Sequence, residues 1–228
     1  SLQALLIGGA PLGQFHYKHL KALKIPFHTT YGLTEMGSQV TTSTPCPDMS
    51  THLHSGQCLP GRDIKLNPDG EILVNGPCLC SGYWQDNSIH SITDSEGWFH
   101  TKDMGKLDTC NQLIIYGRKD NMFTSGGINI HAEEIERVIL KHPDVIQTIV
   151  VPIPNKTFGH RPAAFIQTTP QADLEKLNSS IQAQLPREKW PDHLFGWPND
   201  TIITGLKPNR QALSHLAIQC LSEPQKIE

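Results

Sequence analysis

Residues 4–35 read ALLIGGAPLGQFHYKHLKALKIPFHTTYGLTE, and this stretch decides the fold class. The apolar run from Leu2 to Ile7 predicts a buried strand, and the sequence GGAP at 8–11 predicts a turn. Residues 12–23 repeat leucine and phenylalanine at helical spacing, and a second strand is predicted from Ile25 to Thr30. Strand, turn, helix and strand in this order indicate the trailing edge of a parallel α/β domain, whose remainder we expect upstream.

The middle of the chain has the pattern of short strands joined by tight turns. Its clearest hairpin signal is NPDG at 67–70, which separates DIKL at 63–66 from EILV at 71–74. Asparagine, proline, aspartate and glycine each favour turn conformations that a strand interior disfavours. We therefore expect a small β-rich subdomain over 56–117, after an α/β edge over 1–55.

A new α+β unit is predicted to begin near GRKD at 117–120. Its first helix carries an apolar stripe within 135–139, and two glutamates lie in the first turn, where a helix favours negative charge. Further strands are predicted at 145–151 and 163–167, and further helices at 172–185 and 210–221. A segment of this length can form its own core, so we expect one domain over 1–117 and a second over 118–228, with a hinge near Asp120.

The composition excludes several classes of protein. Of 228 residues, 37% are hydrophobic and 18% are charged, with 19 basic and 22 acidic side chains and a net charge of −3. This balance is unlike that of disordered tails and argues against nucleic-acid binding through net charge. No run approaches the ~20 apolar residues of a membrane span, and ALLI at 4–7 lacks the basic flank of a signal peptide. We expect a soluble, cytoplasmic protein without nucleic-acid partners.

Cysteines and histidines give no strong sign of a metal site. The six cysteines are Cys46, Cys58, Cys78, Cys80, Cys110 and Cys220, and they form no CxxC pair and no histidine cluster at zinc spacing. We expect reduced, mostly buried thiols and no disulfide framework. His52 and His54 suggest a metal site, but further ligands at helical spacing are missing.

Four motifs carry the strongest functional signal, and they do so through their order. Taken singly they are weak, since SGG at 125–127 fits an ordinary glycine turn as well as a phosphate loop. In chain order they are YGLTE at 31–35, GWFHTKD at 97–103, GRKD at 117–120 running into SGGINI at 125–130, and Lys207 three residues before Arg210. Together they resemble the adenylate-forming superfamily, which contains acyl-CoA synthetases, peptide-synthetase adenylation domains and luciferase.

Within this superfamily the sequence most resembles the 2-succinylbenzoate:CoA ligases of menaquinone biosynthesis. The similarity rests on FGHRP at 158–162, on GLKPNRQAL at 205–213, and on Lys102, which stands where most relatives have glycine. It covers nearly the whole chain but only the second half of such an enzyme, because the Ser/Thr/Gly-rich loop that holds the ATP phosphates is not present. The missing N-terminal part of the same enzyme is therefore an expected partner.

The resemblance implies a reaction in two steps. A carboxylate attacks the α-phosphate of ATP to give an acyl-adenylate and pyrophosphate, and the thiol of CoA then displaces AMP. Thr34 is expected to hydrogen-bond the α-phosphate, and Glu35 to hold Mg²⁺, a hard cation that prefers carboxylates. Asp103 is expected to accept hydrogen bonds from both ribose hydroxyls, and Arg118 to contact the same ribose. The implied nucleotide-binding residues are Gly8, Gly9, Ala10, Tyr31, Gly32, Thr34, Asp103 and Arg118.

The resemblance also implies a movement of the second domain. Asp120 matches the hinge at which a few dihedral changes swing the small domain between an adenylating and a thioesterifying pose. The loop that lines the pantetheine tunnel of CoA after this swing is matched by Ser125, Gly126 and Gly127. The sequence departs from the family pattern at Ile128, often glutamate, and at Ala132, often proline, so the pairing of this loop with the large domain is left open.

The remaining implied residues contact the acid that is activated. Lys207 matches the mobile lysine that reaches the α-phosphate and the acyl carboxylate in the first step, with one residue more than in most relatives between Gly205 and itself. The carboxylate and keto group of the acyl substrate need hydrogen-bond donors. Ser38 and Gln39, just after the segment YGLTE at 31–35, are candidates, and further donors are expected upstream.

The sequence as a whole predicts the C-terminal half of an ATP-dependent acid–thiol ligase that uses ATP, Mg²⁺ and CoA and is inactive in isolation. Two alternatives stay open, namely another aryl- or acyl-CoA synthetase and a noncatalytic AMP-binding fragment. The joint presence of Glu35, Asp103, Lys207 and the glycine loop argues against a noncatalytic fragment. A protein that no longer catalyses the reaction should have lost at least one of them. The oligomeric state is left open, with a homodimer as one option.

Overall fold

The computed structural model describes residues 2–45, 54–198 and 209–222. The chain divides into two compact units, one comprising Ser1–Leu12 and Tyr17–Asp120, the other Gly13–His16 and Asn121–Glu228. Both units combine sheets with few helices, and the predicted mixed α/β class is confirmed. Short 3-10 turns cover Thr34–Met36, Lys119–Asn121 and Arg187–Lys189.

The first sheet of unit 1 contains the only parallel strand pair described in that unit. Its elements are β1 (Leu5–Ile7), helix α1 (Gln14–Ala22), β2 (Phe27–Leu33), β3 (Ser38–Thr42) and β4 (Gln57–Cys58), with strand order β1-β2-β3-β4. Strand β1 runs parallel to β2, whereas β2–β3 and β3–β4 are antiparallel. The predicted strand, turn, helix and strand are present, although β1 begins later and β2 extends further than the hydrophobic pattern indicated.

Helix α1 is less buried than its spacing predicts. None of its residues is buried among those described, and Leu23 lies beyond its end with 56% of its surface exposed. A crossover helix is buried by the parallel strands that it covers, and here a single parallel pair is available. The predicted apolar face therefore has little to pack against in the described structure.

The β-rich part of unit 1 follows the predicted order. Its strands are β5 (Asp63–Leu66), β6 (Glu71–Asn75), β7 (Tyr83–Gln85), β8 (Ser88–His90), β9 (Phe99–Leu107) and β10 (Leu113–Arg118). One antiparallel sheet has the order β10-β9-β6-β5, and β7 pairs with β8 alone. The NPDG turn lies between β5 and β6, as predicted, and Gly70 closes it with a φ of +87°.

A shared core holds the two four-stranded sheets of unit 1 together. The buried side chains are Tyr31, Met36, Val40, Ile72, Val74 and Leu113. The first three come from β2, the following turn and β3, and the others come from β6 and β10. The segment YGLTE at 31–35 is therefore packed against the β-rich subdomain.

Unit 2 is an open sheet with helices on both faces. Its elements are β11 (Met122–Ser125), β12 (Ile128–His131), α2 (Ala132–Ile139), β13 (Val145–Asn155), β14 (Gly159–Thr168), α3 (Leu174–Gln184), β15 (His193–Gly196) and α4 (Arg210–Ser222). The sheet has the order β12-β11-β14-β13, and β15 pairs in parallel with β14. The strands and helices predicted for this part of the sequence are all present, with ends shifted by a few residues.

Strand β13 is buried on both sides, which explains its nearly continuous apolar sequence. Val150 packs with Ile135 of α2 and Ile181 of α3, whereas its neighbours Ile149 and Val151 pack against α4. Alternate side chains of a strand point to opposite faces, so each face forms its own core. The helices of unit 2 are thereby held to one sheet.

The prediction that the cysteines are mostly buried was wrong for those that the structure describes. Cys58, Cys78, Cys110 and Cys220 are exposed, and Cys80 is half-buried. These residues lie on a two-residue edge strand, in turns and near the C-terminal end of α4, where no neighbouring segment of the described structure covers them. Cys46, His52 and Leu53 lie outside the described residues.

The four α-helices of the described ranges contain between 8 and 13 residues. In this part of the chain, no helix has both the length and the apolar character that crossing a membrane requires.

Candidate active site

The centre of the candidate site is the carboxylate of Asp103 on β9. The Tyr31 hydroxyl donates to Asp103 Oδ2 at 2.7 Å, and Arg118 Nη1 donates to Asp103 Oδ1 at 3.1 Å. Each carboxylate oxygen thus has a donor, and the Asp103 side chain keeps 15% of its surface exposed. Three residues from three of the sequence motifs therefore meet at one carboxylate.

Asp103 lies within a bulge of β9, between His100 and Met104. The register between β6 and β9 shifts between Glu71 and Leu73, and Lys102 has a φ of +62°. Glu71 accepts the Lys102 amide at 3.0 Å, and Thr101 Oγ1 accepts the Asp103 amide at 3.0 Å. A positive φ is a conformation that glycine adopts without strain. This backbone accounts for the glycine expected at position 102 in relatives.

The electrostatics of this cluster favour a neutral tyrosine and a charged arginine. Burial and the neighbouring Asp103 carboxylate raise the pKa of Tyr31 well above its ordinary value. Burial acts to lower the pKa of Arg118, but Asp103 and Asp120 raise it overall. Tyr31 therefore remains a hydrogen-bond donor, and Arg118 remains a cation, across the physiological pH range.

Asp120, the predicted hinge residue, is held by two cations of unit 1. Its carboxylate lies 3.3 Å from Arg118 Nη2 and 3.5 Å from Lys102 Nζ. The side chains are about half exposed, so each pair contributes little to stability. Arg118 nevertheless links the candidate ribose residue Asp103 to the candidate hinge.

Thr34 and Glu35 lie on a tight 3-10 turn directly after β2. Gly37 closes this turn with a φ of +72° and donates its amide to the Thr34 carbonyl. Thr34 is exposed and Glu35 is half-buried, so both side chains are accessible. Gly32 is required just before the turn, because a Cβ there would lie 2.0 Å from the Ser38 carbonyl oxygen.

The Glu35 carboxylate fits the role of a single magnesium ligand. Among the residues described, no three His, Cys, Asp or Glu side chains are grouped as a metal cage. Mg²⁺ in nucleotide sites is held by one or two carboxylates, substrate phosphates and water, so a dedicated cage is not needed. A single accessible carboxylate on the residue after Thr34 is consistent with this arrangement.

The segment Gly8-Gly9-Ala10 follows β1 and is exposed at the sheet edge. A Cβ on Gly8 would lie 2.8 Å from Thr30 Cγ2, so the backbone here approaches β2 closely. Gly9 has a φ of +82° and nothing within 4 Å of a Cβ position. Its backbone is therefore open to a ligand, and the nucleotide-binding role that the resemblance implies for this segment stays a prediction.

Ser38 and Gln39, the two predicted contacts to the acyl substrate, differ in whether their side chains are available to a ligand. Ser38 is exposed at the start of β3. Gln39 is half-buried, and its amide donates to the hydroxyls of Thr30 at 3.2 Å and Thr42 at 3.4 Å. Arg62 also donates to the Gln39 carbonyl. Gln39 is thus occupied within its own sheet, whereas Ser38 is available to a ligand.

In unit 2, Gly126 and Gly127 form the two-residue turn between β11 and β12. Their φ values are +57° and +84°, the pattern of a hairpin turn that glycine favours. A Cβ on Gly126 would lie 2.9 Å from the Phe158 ring, whereas Gly127 faces open space. Ser125 is buried before the turn. The loop therefore presents Gly127 as its accessible point.

Arg161 supports this glycine turn through its contact with Phe158. Its guanidinium donates to the carbonyls of Glu188 at 2.6 Å and Trp190 at 3.1 Å, and it pairs with Asp192 at 2.7 Å. It also lies 5.6 Å from the Phe158 ring centroid, and Phe158 accepts the Gly126 amide at its carbonyl. The FGHRP motif is therefore a structural support of the loop in this fold.

A buried charged network lies at the start of α4. Arg210 donates to both oxygens of Glu136 at 2.6 and 3.0 Å and lies 3.4 Å from Glu133, which also accepts from Asn121. Burial raises the pKa of Glu136, while Arg210 and the Val150 amide act in the opposite direction. Asn121, directly after Asp120, and Arg210, the first residue of α4, are thus both held by carboxylates of α2.

The sequence reasoning found some of these features and missed others. Lys207 and Gly205 lie outside the described residues, so their predicted roles stay predictions. The Tyr31 contact with Asp103 and the Tyr83 contact with Glu35 were not foreseen. No local pattern identifies them, because each joins residues far apart in the chain.

Comparisons with known proteins show similarity along both parts of the chain. A family model described as AMP-binding enzyme matches residues 1–84, and one described as AMP-binding enzyme C-terminal domain matches residues 134–196. The 2-succinylbenzoate--CoA ligase of Salmonella typhimurium is 37% identical over 213 residues, which cover 93% of this chain and 46% of that protein. The Escherichia coli protein of the same name is 36% identical over 216 residues, with the same coverage.

Solved structures show the same similarity. An E. coli MenE variant with bound OSB-AMS has a TM-score of 0.84 and 33% identity, over 94% of this chain and 46% of that chain. Bacillus subtilis MenE in complex with ATP and magnesium ion has a TM-score of 0.70 and 28% identity, over 85% and 42%. The chain thus spans less than half the length of these relatives. With both parts of the family pattern matched in order, the chain belongs to the AMP-binding enzyme family.

Proposed function

We propose that this chain forms the second half of an AMP-forming acid–thiol ligase that activates 2-succinylbenzoate and transfers it to CoA. The observation that carries the proposal is the convergence of Tyr31, Asp103 and Arg118, with Glu35 on the turn that follows the strand of Tyr31. The similarity to 2-succinylbenzoate--CoA ligases over 93% of the chain supports the choice of acid.

In the first step the chain's residues hold the nucleotide and its developing charge. Asp103 accepts the ribose hydroxyls while Tyr31 and Arg118 keep its carboxylate in place. Thr34 donates to the α-phosphate, and Glu35 anchors Mg²⁺, which neutralises phosphate charge when bound. Lys207 supplies a donor between the acyl carboxylate and the α-phosphate. Such positioned charges act most strongly in the transition state.

The second step uses the same chain in another pose. Movement at Asp120 withdraws Lys207 and brings the glycine turn to the acyl-adenylate. Because Gly127 has open space at its Cβ position, the turn leaves room for the thin pantetheine chain. The CoA thiol then displaces AMP and forms the thioester.

The test compares the full-length protein with the 228-residue chain. We expect the full-length protein to release pyrophosphate with ATP and 2-succinylbenzoate, and to form the CoA thioester. The chain alone should release pyrophosphate only at background, because positioning of the triphosphate supplies much of the rate. If the full-length protein prefers other benzoates or fatty acids, it is another acyl-CoA synthetase. If it turns over no acid, the alternative of a noncatalytic AMP-binding protein is favoured.

The role of Lys207 is tested in the full-length protein by Lys207→Ala. Loss of one preorganised charge typically costs ~10²- to 10³-fold in rate, so adenylation should fall by at least about that factor. Conversion of presynthesised acyl-adenylate and CoA should stay close to the wild-type rate. Lys176→Ala, at a lysine with an 81% exposed side chain, serves as the control. Adenylation within threefold of wild type in Lys207→Ala would make Lys207 an ordinary surface residue.

A further inference from the structure

Tyr83 contacts the candidate metal ligand from a separate hairpin. Its hydroxyl donates to Glu35 Oε1 at 2.5 Å, across 48 positions of sequence. The Cys80 amide donates to the Glu35 carbonyl oxygen at 2.8 Å. Cys80 therefore holds the main chain of Glu35, and Tyr83, the first residue of β7, holds its side chain.

The hairpin that carries Tyr83 is constrained at both ends. Gly82 has a φ of +154°, and a Cβ there would lie 2.2 Å from the His90 carbonyl oxygen. At the tip, Asp86 and Asn87 have φ values of +51° and +57°, as in the two-residue turns that match the twist of a hairpin. The backbone position of Tyr83 is thus constrained at both ends of the hairpin, although about half of its surface is exposed.

A carboxylate has two oxygens and rotates freely when exposed. A donor on one oxygen removes that freedom and leaves the other oxygen to a cation or a phosphate-bound water. We propose that Tyr83 is a positioning residue that orients the Glu35 carboxylate, so that Oε2 is presented to the divalent cation of the nucleotide. This inference rests on the proposed function, because it assigns Tyr83 a part in the same site.

The experiment measures cation binding separately from turnover. Full-length Tyr83→Phe is titrated with Mn²⁺, detected by its paramagnetic resonance, in the presence of α,β-methylene-ATP, which cannot transfer its adenylyl group. Since the bond is charge-assisted but solvent-exposed, we expect about 3- to 10-fold weaker Mn²⁺ binding. Trp84→Phe is the matched control, because Trp84 is the next residue of the strand and points to the other face.

A double-mutant cycle completes the test. In a Glu35→Gln background, Tyr83→Phe should cause no further loss of Mn²⁺ affinity, and thioester formation from presynthesised acyl-adenylate should be unchanged in Tyr83→Phe. Mn²⁺ affinity within twofold of wild type in Tyr83→Phe would overturn the positioning role. Absence of acid-dependent pyrophosphate release in the wild type would instead overturn the proposed function, while the Mn²⁺ titration still decides the role of Tyr83.

Discussion

The hydroxyl of Tyr31 on β2 donates a 2.7 Å hydrogen bond to Asp103 on β9 and so joins the two sheets of unit 1 at the candidate ribose site. Tyr31 is only 7% exposed. The hydrogen bond is therefore both a structural link and a constraint on the carboxylate that is proposed to bind the nucleotide.

Tyr31→Phe should destabilise the chain by about 1–2 kcal/mol, because it removes one donor from a charged acceptor that Arg118 still holds. The difference in free energy of unfolding from wild type should be constant between pH 6 and 9. Above pH 10 the unfolded tyrosine loses its proton first, and the raised pKa of the folded state then makes the difference shrink as the pH rises. Urea unfolding at each pH measures this. A difference that grows above pH 10 would contradict the assignment.

Lys102→Gly should be at least as stable as wild type, and more stable than Lys102→Ala by about 1 kcal/mol. Both variants lose the exposed contact with Asp120, but only glycine adopts the φ of +62° without strain. Thermal unfolding of the three proteins separates backbone strain from the ion pair. Equal stability of the glycine and alanine variants would show that the backbone relaxes at this position.

Gly126→Ala should destabilise unit 2 more than Gly127→Ala does. Both substitutions place a side chain at a positive φ, at a cost of about 1–2 kcal/mol each, but only the Cβ at 126 meets the Phe158 ring. Chemical denaturation measures both effects, and the reverse order would mean that Phe158 moves aside without cost.

Gly127→Leu in the full-length protein should slow CoA capture and leave adenylate formation nearly intact, because the added side chain obstructs the thiol only in the second pose. Bound acyl-adenylate should then accumulate, as measured by rapid quench. Equal loss in both half-reactions would identify the loop as an ordinary structural turn.

Arg210→Met should destabilise the chain by about 3–5 kcal/mol, because it leaves the buried Glu136 carboxylate without its bidentate partner. Glu136→Met combined with Arg210→Met should recover much of this loss, since no charge is then stranded. Arg187→Met, at an exposed arginine, should change stability by less than about 0.5 kcal/mol. A cost below about 1 kcal/mol for Arg210→Met would mean that water reaches Glu136.

Periodicity predicted most secondary structure because local patterns determine it. Strand β13 and the NPDG turn were identified from neighbouring residues alone. Contacts across long sequence separations were not predictable in this way. The pairs Tyr31–Asp103 and Tyr83–Glu35 depend on how two sheets and a hairpin pack, and a single sequence carries no signal for that packing. The exposure of α1 and of most described cysteines was missed for the same reason.

The bracing of the glycine turn by Arg161 limits how this loop can be exchanged between homologues. A chimera that receives only residues 125–127 keeps a turn whose shape is set by Phe158 and by the carbonyls of Glu188 and Trp190. These supports come from segments about 30 and 60 residues further along the chain. Replacing this loop with that of a homologue should therefore require three segments to be transferred together as one block.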